Sequence, residues 1–142
     1  MPNSRVCVDS NLVLKLAVDE EDSEIVRSQW ERWIRGRTQL VAPELLWCEL
    51  TSALRQKVIR GVITDAEAKD ALSRLLSFQP LMTSVRGEHQ AALDLAIRHD
   101  RPQAYDSHYL AVAEALDCPL WTADRRLYNA VKDAFPTTNL VG

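Results

Sequence analysis

The segment VCVDSNLVLKLA (residues 6–17) decides the fold that we predict for this chain. Arg5–Val8 is short, rich in β-formers and apolar at its end, which is typical of a buried strand. Asp9 follows it directly, and Ser10–Val18 then carries apolar residues at the spacing of a helix. A buried strand that passes through an aspartate into a helix is the first unit expected of an α/β fold.

The alternation of strands and helices continues along the chain. Further short strands are predicted at Gln39–Ala42, Pro80–Thr83, Pro119–Thr122 and Thr138–Val141. Helices are predicted at Ser23–Arg35, Pro43–Ile59, Asp65–Ser77, Arg86–His99, Tyr105–Leu116 and Asp124–Lys132. This pattern favours a central parallel sheet that is covered on both faces. Since no repeat, low-complexity tract or linker divides the 142 residues, we expect one domain over residues 1–142.

Composition argues against several classes of protein. No apolar run approaches the roughly 20 residues that cross a bilayer, and MPNSRVCVDS lacks the layout of a signal peptide. Cys7, Cys48 and Cys118 are few and widely spaced, so we expect reduced thiols in a cytoplasmic protein. The net charge of −3 counts mildly against a general nucleic-acid binder. That objection weakens if several acids hold a metal, because the metal makes their site electropositive.

Two acids follow predicted strands, where the crevice of an open α/β sheet lies. Asp9 ends the first strand, in VCVDSN, and Asp124 follows the fourth, in LWTAD. An aspartate between a strand and a helix is also a common helix N-cap. The position alone therefore leaves a capping role and a functional role open for both.

Two further acids lie on predicted helices. Glu49 falls within an apolar stripe made by Leu45, Leu46, Leu50, Ala53 and Leu54. Because desolvating a lone carboxylate is costly, a basic side chain or a metal should face Glu49. Asp106 opens a helix that leads into the strand ending near Asp124, so both acids are expected at one sheet edge, although a cap or dipole role also fits Asp106. Glu44 is explained by the helix dipole alone.

Four carboxylates in one crevice would repel each other without a counter-charge, and oxygen ligands of this kind suit Mg²⁺ or Mn²⁺. Zinc is not suggested. His89, His99 and His108 show no ligand spacing with one another or with a cysteine, so surface or helix-face roles are expected for all three.

Three stretches together resemble the PIN-domain family, especially the toxin ribonucleases of bacterial VapBC toxin–antitoxin pairs. They are VCVDSNLVLKLA (6–17), APELLWCELTSAL (42–54) and YDSHYLAVAEALDCPLWTADRRL (105–127). The resemblance implies a Rossmann-like α/β/α sandwich with a central parallel sheet. It also implies that the family's catalytic, metal-binding acids are Asp9, Glu49, Asp106 and Asp124, with Ser10 and Thr122 as supporting polar residues.

The same resemblance implies a metal-dependent endoribonuclease that uses Mg²⁺ or Mn²⁺ to hydrolyse RNA phosphodiester bonds. Its expected partners are RNA, a second copy of the chain and a small antitoxin, with no membrane. One alternative is a non-catalytic PIN-like scaffold that binds RNA or assembles without cutting, and Asp9→Asn should not affect such a protein. A second is an aspartyl-phosphate enzyme with Asp9 as the nucleophile. Asn11 argues against it, because phosphatases of that type resemble DxD at this point.

Overall fold

The structure is a computed structural model that describes residues 4–78 and 81–142. Its strands are β1 (Arg5–Val8), β2 (Gln39–Ala42), β3 (Leu81–Met82), β4 (Leu120–Thr122) and β5 (Asn139–Leu140). Its helices are α1 (Ser10–Leu14), α2 (Ser23–Arg35), α3 (Leu45–Ile59), α4 (Asp65–Phe78), α5 (Glu88–Arg98), α6 (Tyr105–Ala115) and α7 (Arg125–Val131). The predicted third strand is found in part, and Pro80 lies outside the described residues.

The five strands form one parallel sheet in the order β3-β2-β1-β4-β5. The chain moves outward from β1 through β2 to β3, then returns to β4 on the other side of β1. Because crossovers between parallel strands are right-handed as a rule, this strand order puts the connecting helices of the two halves on opposite faces of the sheet. The predicted α/β sandwich with a central parallel sheet is therefore confirmed, and its strand order changes direction between β1 and β4.

The core lies along the two central strands and the helices packed on them. β1 and β2 each bury their last three residues. Trp30 and Trp33 on α2 are also buried, and Trp33 makes an edge-to-face contact with Trp121 of β4 at 5.2 Å between ring centroids. α2 is thus packed against β4 through this aromatic contact.

Two predicted helix bounds are wrong for local backbone reasons. The first helix ends at Leu14 and not at Val18, because Leu16 and Ala17 donate to carbonyls three residues earlier and tighten the chain into turns. The fifth helix begins at Glu88 and not at Arg86, because Gly87 has a φ of 74°, which an α-helix does not accept.

Other local signals hold. Gly61 ends α3 with a φ of 75°. Thr64 and Glu67 exchange side-chain to backbone hydrogen bonds at 3.0 and 3.1 Å, which completes the capping box of α4. Within the described part of the chain, no helix combines the length and the apolar character needed to cross a membrane.

We expect Leu50→Ala on α3 to lower the free energy of unfolding by about 2–5 kcal/mol, since Leu50 is fully buried and its loss leaves a cavity. Ile59 ends the same helix and is 63% exposed, so Ile59→Ala should change stability by no more than about 0.5 kcal/mol. Urea unfolding of both variants measures the difference. Equal losses would contradict the burial of this face of α3.

Candidate active site

Asp9 lies at the carboxyl end of β1 and is almost completely buried, with 2% of its surface exposed. One carboxylate oxygen accepts the backbone N–H of Leu12 at 3.0 Å, which makes Asp9 the N-cap of α1. The other accepts the hydroxyl of Thr122. The capping role is therefore present, and it holds the carboxylate in a fixed orientation at the sheet edge.

Thr122 joins the carboxyl ends of β1 and β4. Its hydroxyl is fully buried, donates to Asp9 and accepts the backbone N–H of Asp124 at 2.9 Å. Asp124 is the N-cap of α7, where one carboxylate oxygen accepts the N–H groups of Arg126 and Leu127 at 2.9 and 3.3 Å. A single hydroxyl thus sets the relative position of two of the predicted acids.

Glu49 is half-buried on α3, as its place in the apolar stripe predicts. Two hydroxyls donate to it, and among the described residues no basic side chain forms an ion pair with it. Ser10 donates to its Oε1 at 3.3 Å and Tyr109 donates to the same atom at 2.6 Å. Ser10 therefore contacts Glu49 and not Asp9, its neighbour in sequence.

Tyr109 was not predicted as a site residue. It is 1% exposed on α6, three residues after Asp106. The available signal is general: a buried tyrosine needs a partner for its hydroxyl. The sequence does not show that this partner lies on α3.

Asp106 lies in the first turn of α6 but does not cap it, because the N-cap is Ala104 and no side-chain cap bond is found there. Its carboxylate instead accepts a hydrogen bond from the guanidinium of Arg101 at 3.0 Å. Arg101 precedes the helix, and its place in the sequence does not predict this ion pair. The cap interpretation of Asp106 is therefore wrong.

The charges of these acids act on one another. The pKa of Asp9 rises from 3.8 to about 7, first because burial disfavours the ion and then because Asp106 and Asp124 add negative charge, while its two hydrogen bonds oppose the rise. The pKa of Glu49 is also raised, mainly by burial, with a further rise from Asp106. The charges of the four acids are therefore coupled, since Asp106 acts on both Asp9 and Glu49 and Asp124 acts on Asp9.

The structure brings the four acids to one edge but leaves them spread. Among the described residues, the only group of three or more His, Cys, Asp or Glu whose ligand atoms lie within 4.8 Å of one another is elsewhere, at Glu88, His89 and His108. The donor set is all carboxylate oxygen, and Arg101 is the one basic side chain ion-paired to it in the described chain. Such a set fits a hard divalent cation.

His89 and His108 lie on helix faces, as expected, but the structure also brings their side chains together. His89 of α5 and His108 of α6 lie side by side, with His89 Nδ1 and His108 Nε2 3.0 Å apart. His99 is separate and packs on Phe135. The pair forms because α5 packs against α6, which the spacing along the sequence does not show.

Comparison with known proteins identifies the family. The PIN domain model matches residues 6–133 of the chain. The chain belongs to the PIN domain family. This confirms the resemblance carried by the three motifs.

Its relatives include several ribonucleases. The chain is 38% identical to Ribonuclease VapC1 of Mycobacterium tuberculosis over 89 residues, which cover 61% of this chain and 63% of that protein. It is 30% identical to Ribonuclease VapC3 of Pyrobaculum aerophilum over 125 residues, 87% of this chain and 92% of the relative. Ribonuclease VapC12 of M. tuberculosis is 34% identical over 96 residues, 68% of this chain and 71% of that protein. The match to VapC1 thus spans a little under two thirds of its length.

The raised pKa of Asp9 predicts how the stability of this PIN domain depends on pH. The folded state holds the Asp9 proton more tightly than the unfolded state does. This proton therefore adds fully to the free energy of unfolding below about pH 4, and the added stability is lost as the pH rises to about 7. Asp9→Asn retains an oxygen that can cap α1 but does not ionise, so its stability should fall less over that range. Urea unfolding in EDTA at a series of pH values measures how steeply the free energy of unfolding falls with pH in the wild type and in Asp9→Asn.

Asp117→Asn is the control, because Asp117 is exposed in the turn after α6. Its profile should follow the wild type. Identical slopes for the wild type and Asp9→Asn would show that the carboxylate of Asp9 is not desolvated.

Tyr109→Phe should raise the pKa of Glu49 further and lower the free energy of unfolding by about 1–3 kcal/mol, since it removes a hydrogen bond that stabilises the ionised carboxylate. Tyr105→Phe on the same helix is the matched control, because Tyr105 is 54% exposed. Carbon-13 NMR titration of the glutamate carboxyls, with urea unfolding, measures both effects. Equal behaviour of the two variants would contradict the Tyr109–Glu49 contact.

Proposed function

We propose that this PIN domain is a divalent-metal-dependent endoribonuclease that hydrolyses RNA phosphodiester bonds. The observation that carries the proposal is the buried Asp9 carboxylate at the point between β1 and β4 where the strand order reverses. Its pKa is raised mainly by burial and further by the charges of Asp106 and Asp124. A site that gathers excess negative charge at this edge is suited to binding a cation. The ribonuclease names of the relatives support the same activity.

Asp9, Glu49, Asp106 and Asp124 are the residues that we propose hold Mg²⁺ or Mn²⁺. Such a cation, when bound, supplies positive charge to the phosphate and makes water more acidic for attack on phosphorus. Metal titration measures whether one ion or two ions bind to these four acids.

The chain's own residues hold these carboxylates in place. Thr122 and the backbone N–H of Leu12 fix both oxygens of Asp9. Ser10 and Tyr109 fix one oxygen of Glu49 and leave the other to the site. This orientation by hydroxyls keeps the acids ready for a cation without neutralising them.

Arg101 is our candidate for contact with the RNA phosphate. Its guanidinium already lies 3.0 Å from Asp106 at the edge of the acid group. A cation on Asp106 would weaken that ion pair, and the planar guanidinium would then be available to phosphate oxygens. Arg101 therefore supports the acid group by balancing charge before substrate arrives.

A groove of about 510 Å³ runs beside Glu49 and is our candidate path for single-stranded RNA. Ser10, Ser52, Gln56 and Tyr105 contribute polar or aromatic side chains to it. The 54% exposed ring of Tyr105 offers a face on which a base can stack. The groove therefore combines a stacking surface with one of the four acids.

The proposal extends to the biological setting. The resemblance to VapC toxins, together with the VapC names of the relatives, supports the toxin of a VapBC-type pair, with a second copy of the chain and a small antitoxin as partners. The three cysteines are free thiols, which supports the cytoplasm as the proposed location.

A non-catalytic scaffold is less well supported. Such a protein gains nothing from a buried carboxylate whose neighbours are also acidic, because that arrangement lowers stability at neutral pH. The arrangement is explained if a cation is bound during function.

Purified protein should cleave a mixed pool of single-stranded and structured RNA with Mg²⁺ or Mn²⁺ but not with EDTA. Asp9→Asn and Asp124→Asn should each lose at least about 100-fold in rate, because loss of a direct ligand should exceed the 10–100-fold typical of residues that only orient one. Asp117→Asn, the exposed control, should retain the wild-type rate.

The products identify the reaction. Attack by water should leave a 5′-phosphate and a 3′-hydroxyl, which end-labelling and sequencing of the fragments detect. RNA binding without cleavage under every metal tested, unchanged by Asp9→Asn, would instead establish the scaffold.

A further inference from the structure

Glu88, His89 and His108 form a compact cluster outside the acid group. Their ligand atoms all lie within 4.8 Å of one another. Glu88 and His89 open α5, and His108 lies in the second turn of α6. We propose that these three side chains form a binding site for a transition-metal ion, with Zn²⁺ as the expected occupant.

The hydrogen bonds of His108 leave it in the form that ligates metals. Its Nδ1 lies 2.7 Å from the carbonyl oxygen of Ala104. A carbonyl only accepts, so Nδ1 carries the ring proton and Nε2 keeps a lone pair. That lone pair points to His89, whose Nδ1 is 3.0 Å away. Metal-ligating histidines are typically held in this way, with the second nitrogen donating to a backbone carbonyl.

The ligand types separate this site from the acid group. Two imidazole nitrogens and one carboxylate oxygen suit Zn²⁺ in tetrahedral geometry, with a fourth position open to water. Mg²⁺ prefers oxygen ligands in an octahedron and should not compete well here. The two sites therefore select different ions from the same solution.

The surroundings of the cluster favour a cation. A cavity of about 350 Å³ opens beside it, and Glu44 at the start of α3 also lines that cavity. Glu44 makes no side-chain hydrogen bond to the helix it precedes, so its carboxylate is not used as a cap. It adds negative charge, and its exposed position allows water or the ion into the cavity.

A bound ion would link the start of α5 to the start of α6. α6 also carries Asp106 and Tyr109, so the link would restrain the helix that supplies two residues of the acid group. The metal site itself stands whether or not the chain is a nuclease, because none of its three ligands belongs to the acid group.

A plain hydrogen bond from His89 Nδ1 to His108 Nε2 would show the same separation of 3.0 Å. It would not require Glu88 to lie nearby, and it would bind no ion. Metal binding therefore distinguishes the two arrangements.

The test uses the full chain carrying Asp9→Asn, in excess Mg²⁺, so that the acid group contributes little. Zn²⁺ calorimetry should show one ion per chain, and Co²⁺ should give the intense visible bands of a tetrahedral site with nitrogen ligands. His89→Ala and His108→Ala should each lower the affinity for Zn²⁺ at least about 100-fold, and Glu88→Gln should weaken it at least about tenfold. Zn²⁺ should also raise the melting temperature of the parent protein but not of the histidine variants.

Two controls accompany these variants. His99→Gln removes the third histidine and Asp94→Asn removes an exposed acid of α5, and both should bind Zn²⁺ as the parent does. His89 is exposed, so its replacement should leave the fold intact, which circular dichroism verifies. Unchanged Zn²⁺ affinity in His89→Ala and His108→Ala, or Co²⁺ spectra of a weak octahedral type only, would overturn the proposal. No RNA is present, so these outcomes are independent of the nuclease test.

Discussion

The buried carboxylate of Asp9 is the constraint on which this site depends. Parallel pairing of β1 with β4 brings the carboxyl ends of the two strands together where the strand order reverses. The hydroxyl of Thr122 then joins Asp9 to the backbone of Asp124. Close packing and two hydrogen bonds hold Asp9 in place. Its pKa rises mainly because burial disfavours the ion and further because Asp106 and Asp124 add negative charge, while the two hydrogen bonds oppose the rise.

Hydroxyls and not cations orient most of this acid group. Glu49 receives hydrogen bonds from Ser10 and Tyr109, which stabilise its ionised form without cancelling its charge. Arg101 is ion-paired with Asp106. The excess negative charge around the buried Asp9 lowers the stability of the protein once that carboxyl ionises. Such local instability is common at functional sites, where stability is given up for chemistry.

The first turns of α6 contribute to both proposed centres. Asp106 and Tyr109 are directed to the acid group, while His108 is directed to His89 on α5. Successive residues of a helix point about 100° apart, so residues this close in sequence can serve different neighbours. A restraint on α6 at His108 therefore acts on the same turns that position Asp106 and Tyr109.

The sequence by itself determined the α/β class and pointed to candidate acids, because periodicity, strand ends and an acid within an apolar stripe are local patterns. The order of three motifs along the chain carried the resemblance to the family. The sequence also led to the N-caps at Asp9 and Asp124. Only the tertiary structure decided which side chains surround those acids. The contacts of Thr122 with Asp9, of Tyr109 with Glu49 and of His89 with His108 join residues 113, 60 and 19 positions apart. The packing of whole strands and helices sets such pairs, and spacing along the chain carries no signal for them.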